Sequence, residues 1–221
     1  DGPSTPEEER QVANKIGKTC GGHVKCYADV IKFCRSVINT IGHMACWARP
    51  DVYHAVFSLA RYQANPSVNH YNMLKHLLRY LRGTQDLTLT FGSREYEGDS
   101  PLVCMVDSNY TGTEGDSCYS TSGYCFFYYG CCILVNSKKQ TAISKSTCEA
   151  ELIAASHCIA TGVYLRRLLI SDFGLDPNIL TPVGEDNQGC IGISRSGGDS
   201  KRARHVRVSD SYCWHECKVN K

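Results

Sequence analysis

Three acidic residues stand where apolar segments end or begin. Asp107 closes the run "PLVCMVDS", Asp186 follows the shorter run "LTPVGEDN", and Glu151 lies in "STCEAELIAAS", within the first turns of a helix. In an open α/β sheet, the ends of neighbouring strands and the start of an adjoining helix converge on one crevice. Carboxylates gathered there repel one another, at a cost on the order of several kcal/mol, unless a cation neutralises them. An oxygen-only donor set selects magnesium or manganese, and a pair of such ions can activate a water and stabilise the leaving oxygen of a phosphodiester. Local work is the competing account. Glu149 can favour the helix N-terminus, and Asp107 and Asp186 can each turn the chain after a strand. Spacing alone leaves both accounts open.

The elements that must position these acids follow from hydrophobic period. From Tyr27 to about Gly83 the period is helical, with one helix near 28–46, a second opening at Pro50 in "RPDVYHAVFSLARYQ" and a third in "HYNMLKHLLRYLRGT" that Gly83 ends. Beyond Gly83 the pattern turns to strands: "LTLTFG" alternates, "PLVCMVDS" is continuously apolar, and "SGYCFFYYG" with "CCILVNS" reads as an antiparallel pair. A long helix spans Ser146 to about Ser171, a short strand ends at the second acidic pair, and helical stretches close the chain near 188–195 and from about 206 onward. This order predicts an α/β layer domain over 87–221, preceded by an all-helical segment over 27–86. Residues 1–26, polar and rich in Gly, Pro and charge, read as a flexible arm.

With 42% hydrophobic and 21% charged residues among 221, the chain can bury a sizeable core, which excludes general disorder. A net charge of +2 neither demands nor excludes a nucleic-acid partner, since such binding needs a local basic face. No uninterrupted apolar run approaches the ~18 residues of a membrane span and no secretory leader pattern opens the sequence, so an intracellular setting, cytoplasmic or nuclear and without a membrane partner, is expected. Many of the 14 cysteines sit in apolar runs and read as reduced, buried, small hydrophobes. The groups Cys20, His23, Cys26 and Cys213, His215, Cys217 lack the paired CxxC of common zinc sites and are read as ordinary residues.

Nine segments occur in a telling order: "RPDVYHAV", "LKHLLRYLRGT", "VDSNYTG", "STSGYCFF", "SKKQ", "STCEAELIAAS", "LRRLL", "EDNQGCI" and "RARHVRV". Together they resemble the C-terminal part of the Pol polyprotein of Ty1/copia retrotransposons, which ends in a ribonuclease H domain. The resemblance implies a ribonuclease H-like fold, a mixed central sheet flanked by helices, behind an all-helical connection segment that joins it to a reverse transcriptase domain. It implies that Asp107, Glu151 and Asp186 hold Mg2+ (or Mn2+) and that the RNA strand of an RNA-DNA hybrid is the substrate. Within "STCEAELIAAS" it assigns Glu151 to the metal and leaves Glu149 as a flanking acid.

Departures from the family pattern bear on activity. Where the family carries KHID, this chain has "RHVR", so Arg207 takes the place of a fourth acid and would repel a second metal ion. Asp210 lies one helical turn further, on nearly the same face, as a candidate replacement. His205 matches the histidine that assists product release in some relatives, with a capping or surface histidine as the rival reading. The family's DADWAG reads "DSNYTG" here. The alternative to a working nuclease is therefore a module that binds nucleic acid or protein without catalysis. Lys138, Lys139, Arg166 and Arg167 are the candidate cations for a hybrid backbone, with a solvated helix face as the plainer account of the two arginines.

Overall fold

The computed structural model describes residues 2–19, 24–92, 98–110 and 118–196, together with residues 213 and 215. The chain divides into two compact units, Asp1–Leu89 and Thr90–Lys221.

The first unit is helical: α1 (Pro6–Gly17), α2 (Tyr27–Trp47), α3 (Tyr53–Ala60) and α4 (Val68–Gly83), with one 3-10 turn at Pro50–Val52. The expectation of a flexible arm over 1–26 is corrected by α1. Thr5 and Glu8 form a reciprocal capping box, Pro6 opens the first turn, and Ala13 and Ile16 are buried. Polar residues dominate the arm's average composition, yet Val12, Ala13 and Ile16 form the one stripe that docks, joining Val30, Val56 and Leu74 in a common core. Buried area on one face, not mean polarity, decides whether such a segment orders.

A single guanidinium fastens the turn after α2. Arg49, 8% exposed, donates from Nε and Nη2 to the Asp51 carboxylate at 2.9 and 2.7 Å, and reaches the Thr84 carbonyl and hydroxyl at 3.0 and 2.7 Å. Tyr80 donates its hydroxyl to the same carboxylate at 3.0 Å. The "RPD" sequence thus ties the 3-10 turn to the C-terminal end of α4 through a forked, charge-assisted contact.

The second unit is mixed α/β. A four-stranded sheet has the order β3-β2-β1-β4, from β1 (Leu102–Asn109), β2 (Thr121–Tyr128), β3 (Cys131–Lys139) and β4 (Val183–Gly184). β1, β2 and β3 pair antiparallel and β4 runs parallel to β1. A two-residue turn joins β2 to β3, with both Tyr129 (φ 48°) and Gly130 (φ 76°) left-handed, the geometry that matches the twist of a hairpin. The "LTLTFG" segment is not a strand. Its alternation finds no partner ladder, and Leu87 and Phe91 stay exposed at 51% and 61%.

Helix α5 (Thr147–Phe173) crosses the sheet and buries Leu152, Ala155 and Cys158 against Leu102, Cys104 and Phe126. Gly162 brings it close, since a Cβ there would lie 3.2 Å from the Phe126 ring. Over its most apolar 18 residues α5 reaches a mean hydropathy of 1.2, enough by length and composition to cross a membrane. Here it serves as the core helix, with Tyr164 and Phe173 exposed on its outer side. Helix α6 (Gln188–Ser196) follows β4. Cys213 and His215 are helical. No disulfide joins any of the described cysteines.

Candidate metal centre

Strand β1 alternates: Leu102, Cys104, Val106 and Ser108 turn inward, while Met105, Asp107 and Asn109 face the opposite, exposed side. The ladder to β4 runs only through Cys104↔Val183 and Met105↔Gly184. Continued by two residues, that register sets Asp186 level with Asp107, at the point where the two strands part.

Glu151 reaches this point from α5. Ser146 caps the helix by accepting from the Glu149 N–H at 3.2 Å, and the Glu149 carboxylate accepts from the Lys145 N–H at 2.6 Å. Glu149 is thereby used as a cap. Two residues on, Glu151 points inward and is 6% exposed. Gln140 holds the helix start in register with the sheet. Its buried amide donates to the Ser122 hydroxyl and to the Ala150 carbonyl, both at 2.9 Å, and accepts from the Ser144 hydroxyl at 2.8 Å.

Asp107, Glu151 and Asp186 each present a carboxylate oxygen within 4.8 Å of the others. Glu151 Oε2 is buried and has no hydrogen-bond partner. Burial, then the charges of Glu185 and Asp107, push the Glu151 carboxyl up to about 7, with the nearby Ser108 hydroxyl pulling weakly the other way. That hydroxyl forms no well-made hydrogen bond of its own. Glu185 is raised as well, first by burial and then by Asp186 and Asp107, against the opposing hydrogen bond from the Asn187 N–H. Its Oε1 accepts that bond at 2.9 Å while Oε2 is buried and unpartnered. Among the described residues none of these four acids is ion-paired. Three converging carboxylates, with one buried orphaned oxygen on Glu151 and another on the adjacent Glu185, and with no ion pair to any of them among the described residues, make a donor set suited to a hard divalent cation.

Glu185 was not singled out by sequence reasoning. Adjacent residues of a strand point to opposite faces, so "GEDN" suggests one acid facing a site and one facing away. The strand ends at Gly184, and beyond it Asp186 joins the converging acids while Glu185 lies near enough for its charge to act on Glu151. The signal available was the Gly before the pair.

The remaining candidates separate. His205, Arg207 and Asp210 lie outside the described residues, as do Cys20, His23 and Cys217. Lys138 and Lys139 are neighbours on β3 and so face opposite sides of the sheet, with Lys139 Nζ 5.2 Å from the centre of the Tyr119 ring. Arg166 is not an open cation: its guanidinium donates to the carbonyls of Pro177 and Ile179 and to the Thr181 hydroxyl, bracing the loop before β4. A guanidinium committed to carbonyls of its own chain has few donors left for a phosphate. Arg167 is exposed on the outer side of α5.

The chain is 31% identical over 217 residues to the retrovirus-related Pol polyprotein from transposon TNT 1-94 of Nicotiana tabacum, a match covering 91% of this chain and 15% of that polyprotein. It is 28% identical over 175 residues to the Pol polyprotein from transposon RE2 of Arabidopsis thaliana, covering 79% of this chain and 12% of the relative. Over 130 residues it is 35% identical to the secreted RxLR effector protein 161 of Plasmopara viticola, covering 59% of this chain and 89% of that protein. The chain thus spans only about 15% of the tobacco polyprotein's length. No protein-family model and no solved structure matches. The chain belongs to one family with the effector protein, and its homologues are Ty1/copia-type retrovirus-related Pol polyproteins of plant transposons.

Proposed function

We propose that the second unit is a retrotransposon-derived, ribonuclease H-like domain that hydrolyses the RNA strand of an RNA-DNA hybrid, and that in a full Pol polyprotein it stands behind a reverse transcriptase domain. The observation that carries this reading is the convergence of Asp107, Glu151 and Asp186 within 4.8 Å, with Glu151 Oε2 buried and unpartnered. The strand order and the long helix crossing from β3 toward β4 support a ribonuclease H-like arrangement. Kinship with Pol polyproteins supports a nucleic-acid substrate.

Asp107, Glu151 and Asp186 would hold Mg2+ or Mn2+, which when bound supplies Lewis acidity toward the scissile phosphate and a lowered pKa for the attacking water. Asp107 and Asp186, both exposed, form the open rim that admits the phosphodiester. Glu151 anchors the site from beneath, fixed by α5 and by the Gln140 brace. Rigid placement of this kind spares reorganisation when charge develops on the phosphate.

The test is cleavage of an end-labelled hybrid by the purified protein in magnesium and in manganese, beside Asp107→Asn. Shortened RNA from the parent protein, with loss of about a thousand-fold in rate in the variant, is the expected result. An intact hybrid in both metals overturns the proposal.

A further inference from the structure

The exposed side of the sheet carries a second feature besides Asp107. The pairings Asp107↔Gly123 and Gly123↔Ser137 form one row across β1, β2 and β3, and Asn109↔Thr121 and Thr121↔Lys139 form the next. By the two-residue alternation of strands all six residues share the face of Asp107. This half of the face is polar, small in side chain, and ends in a cation.

Glycine at 123 is not demanded by the fold. It does not have a positive φ, and a Cβ there would meet nothing nearer than the Asp107 carbonyl at 3.8 Å, an ordinary contact. A glycine inside a strand forfeits packing and entropy, and marks a place where another backbone comes close. Its effect here is to leave the flank of Asp107 bare. Lys139 closes the row from β3, its ammonium held over the Tyr119 ring. Strand spacing and rise set it ~12 Å from Asp107. Lys138 pairs with Ser122 on the opposite, α5-facing side.

We propose that this polar row is a sugar-phosphate track: the strand cut at Asp107 continues over Gly123 toward Lys139, whose ammonium contacts a phosphate beyond the scissile one. The proposal rests on the hydrolase reading above and adds the path of the bound strand. Charge complementarity favours a polyanion, because an anionic strand lying beside Asp107 is drawn by the one cation on that face of the row. Asn109 and Thr121 offer an amide and a hydroxyl to sugar or phosphate oxygens, contacts that position a strand without reading sequence.

The experiment measures equilibrium binding of a fluorescent RNA-DNA hybrid in Ca2+ across a salt series, with Lys139→Glu, Lys138→Glu and Gly123→Val, each checked for an unchanged melting transition. Lys139→Glu is expected to weaken binding about ten-fold and to lower the slope of log K against log salt by about one, whereas Lys138→Glu changes affinity less than about two-fold. Gly123→Val, a better strand former, is expected to keep or raise the melting temperature while weakening binding. Equal effects from the two lysines, no effect from Lys139→Glu, or absence of binding by the parent protein at low salt overturns the track. The two readings fail separately: a parent protein that binds with Lys139 dependence but does not cleave retains the track and loses the nuclease, and one that cleaves without that dependence does the reverse.

Discussion

Two clusters of charged side chains in this molecule solve opposite problems. Around Arg49 the charges cancel and the donors find acceptors: Asp51 accepts twice from the guanidinium and once from Tyr80, and Thr84 takes the rest. Around Glu151 nothing cancels. Four acids share one end of the sheet, two of their buried oxygens lack partners, and no described cation pairs with them. The first arrangement is complete and so reads as a fastening. The second is incomplete and has a use only when something outside the chain completes it. Burial raises both carboxyls, and the partners decide the outcome: Asp51 is held down chiefly by the Arg49 hydrogen bond, whereas Glu151 is pushed up chiefly by desolvation.

Breaking the incomplete cluster has the largest expected effect. Glu151→Gln removes an anchor of the proposed metal site, so hybrid cleavage falls by about a thousand-fold, measured by single-turnover rates. The same substitution stabilises the metal-free protein. A carboxyl raised from 4.5 to about 7 holds its proton more tightly when folded, so the parent loses stability as pH rises between those values. At 1.36 kcal/mol per unit the penalty above pH 7 is about 3 kcal/mol. Urea titrations should find the variant more stable at pH 8 and the difference fading by pH 4. Next in size, saturating Mg2+ or Mn2+ at a hundred times its dissociation constant should raise the stability of the parent by about 2.7 kcal/mol and leave Glu151→Gln nearly unmoved, read by calorimetry.

The complete cluster gives a smaller, structural answer. Arg49→Met strands Asp51 and Thr84 and should cost about 2 kcal/mol, with the loss confined to the helical unit and no effect of divalent metal on it. Because the folded carboxyl of Asp51 is depressed, its contribution is present above the ordinary aspartate range and is lost as pH falls through its folded value. The parent and Arg49→Met should therefore converge in stability in strong acid. Smallest is Gly162→Ala, where better helix propensity opposes a Cβ crowding the buried Phe126 ring at 3.2 Å, for a net loss of about 1 kcal/mol by denaturant midpoint.

The positions of the acids were legible because strand ends and helix starts are local features: apolar runs put Asp107 and Asp186 at strand ends and Glu151 in the first turns of a helix. Spacing left the metal and local accounts open, and only the family resemblance set Glu151 apart from Glu149. What escaped was set by contacts across the chain. Helix α1 depends on Ile16 finding a core that composition does not reveal, and "LTLTFG" alternates without a strand to pair with. Arg166 looks in sequence like any surface cation, and only the returning loop at 177–181 absorbs its donors. Glu185 joins the cluster because a strand stops, and stopping points are where periodicity says least.

That stop has a mechanical side. Glu185 and Asp186 hang from a ladder of two residues, while Asp107 stands in an eight-residue strand bonded along its whole length to β2. Short ladders open by local fluctuation at a fraction of the global unfolding free energy. Amide exchange should therefore be fast at Gly184 and at Cys104, whose N–H donates to the Pro182 carbonyl, and slow at Val103 and Met105, whose N–H groups face β2, so that the cluster has one fixed jaw and one that swings. On the N-terminal side of that ladder, the Arg166 strap ties the loop before β4 to α5.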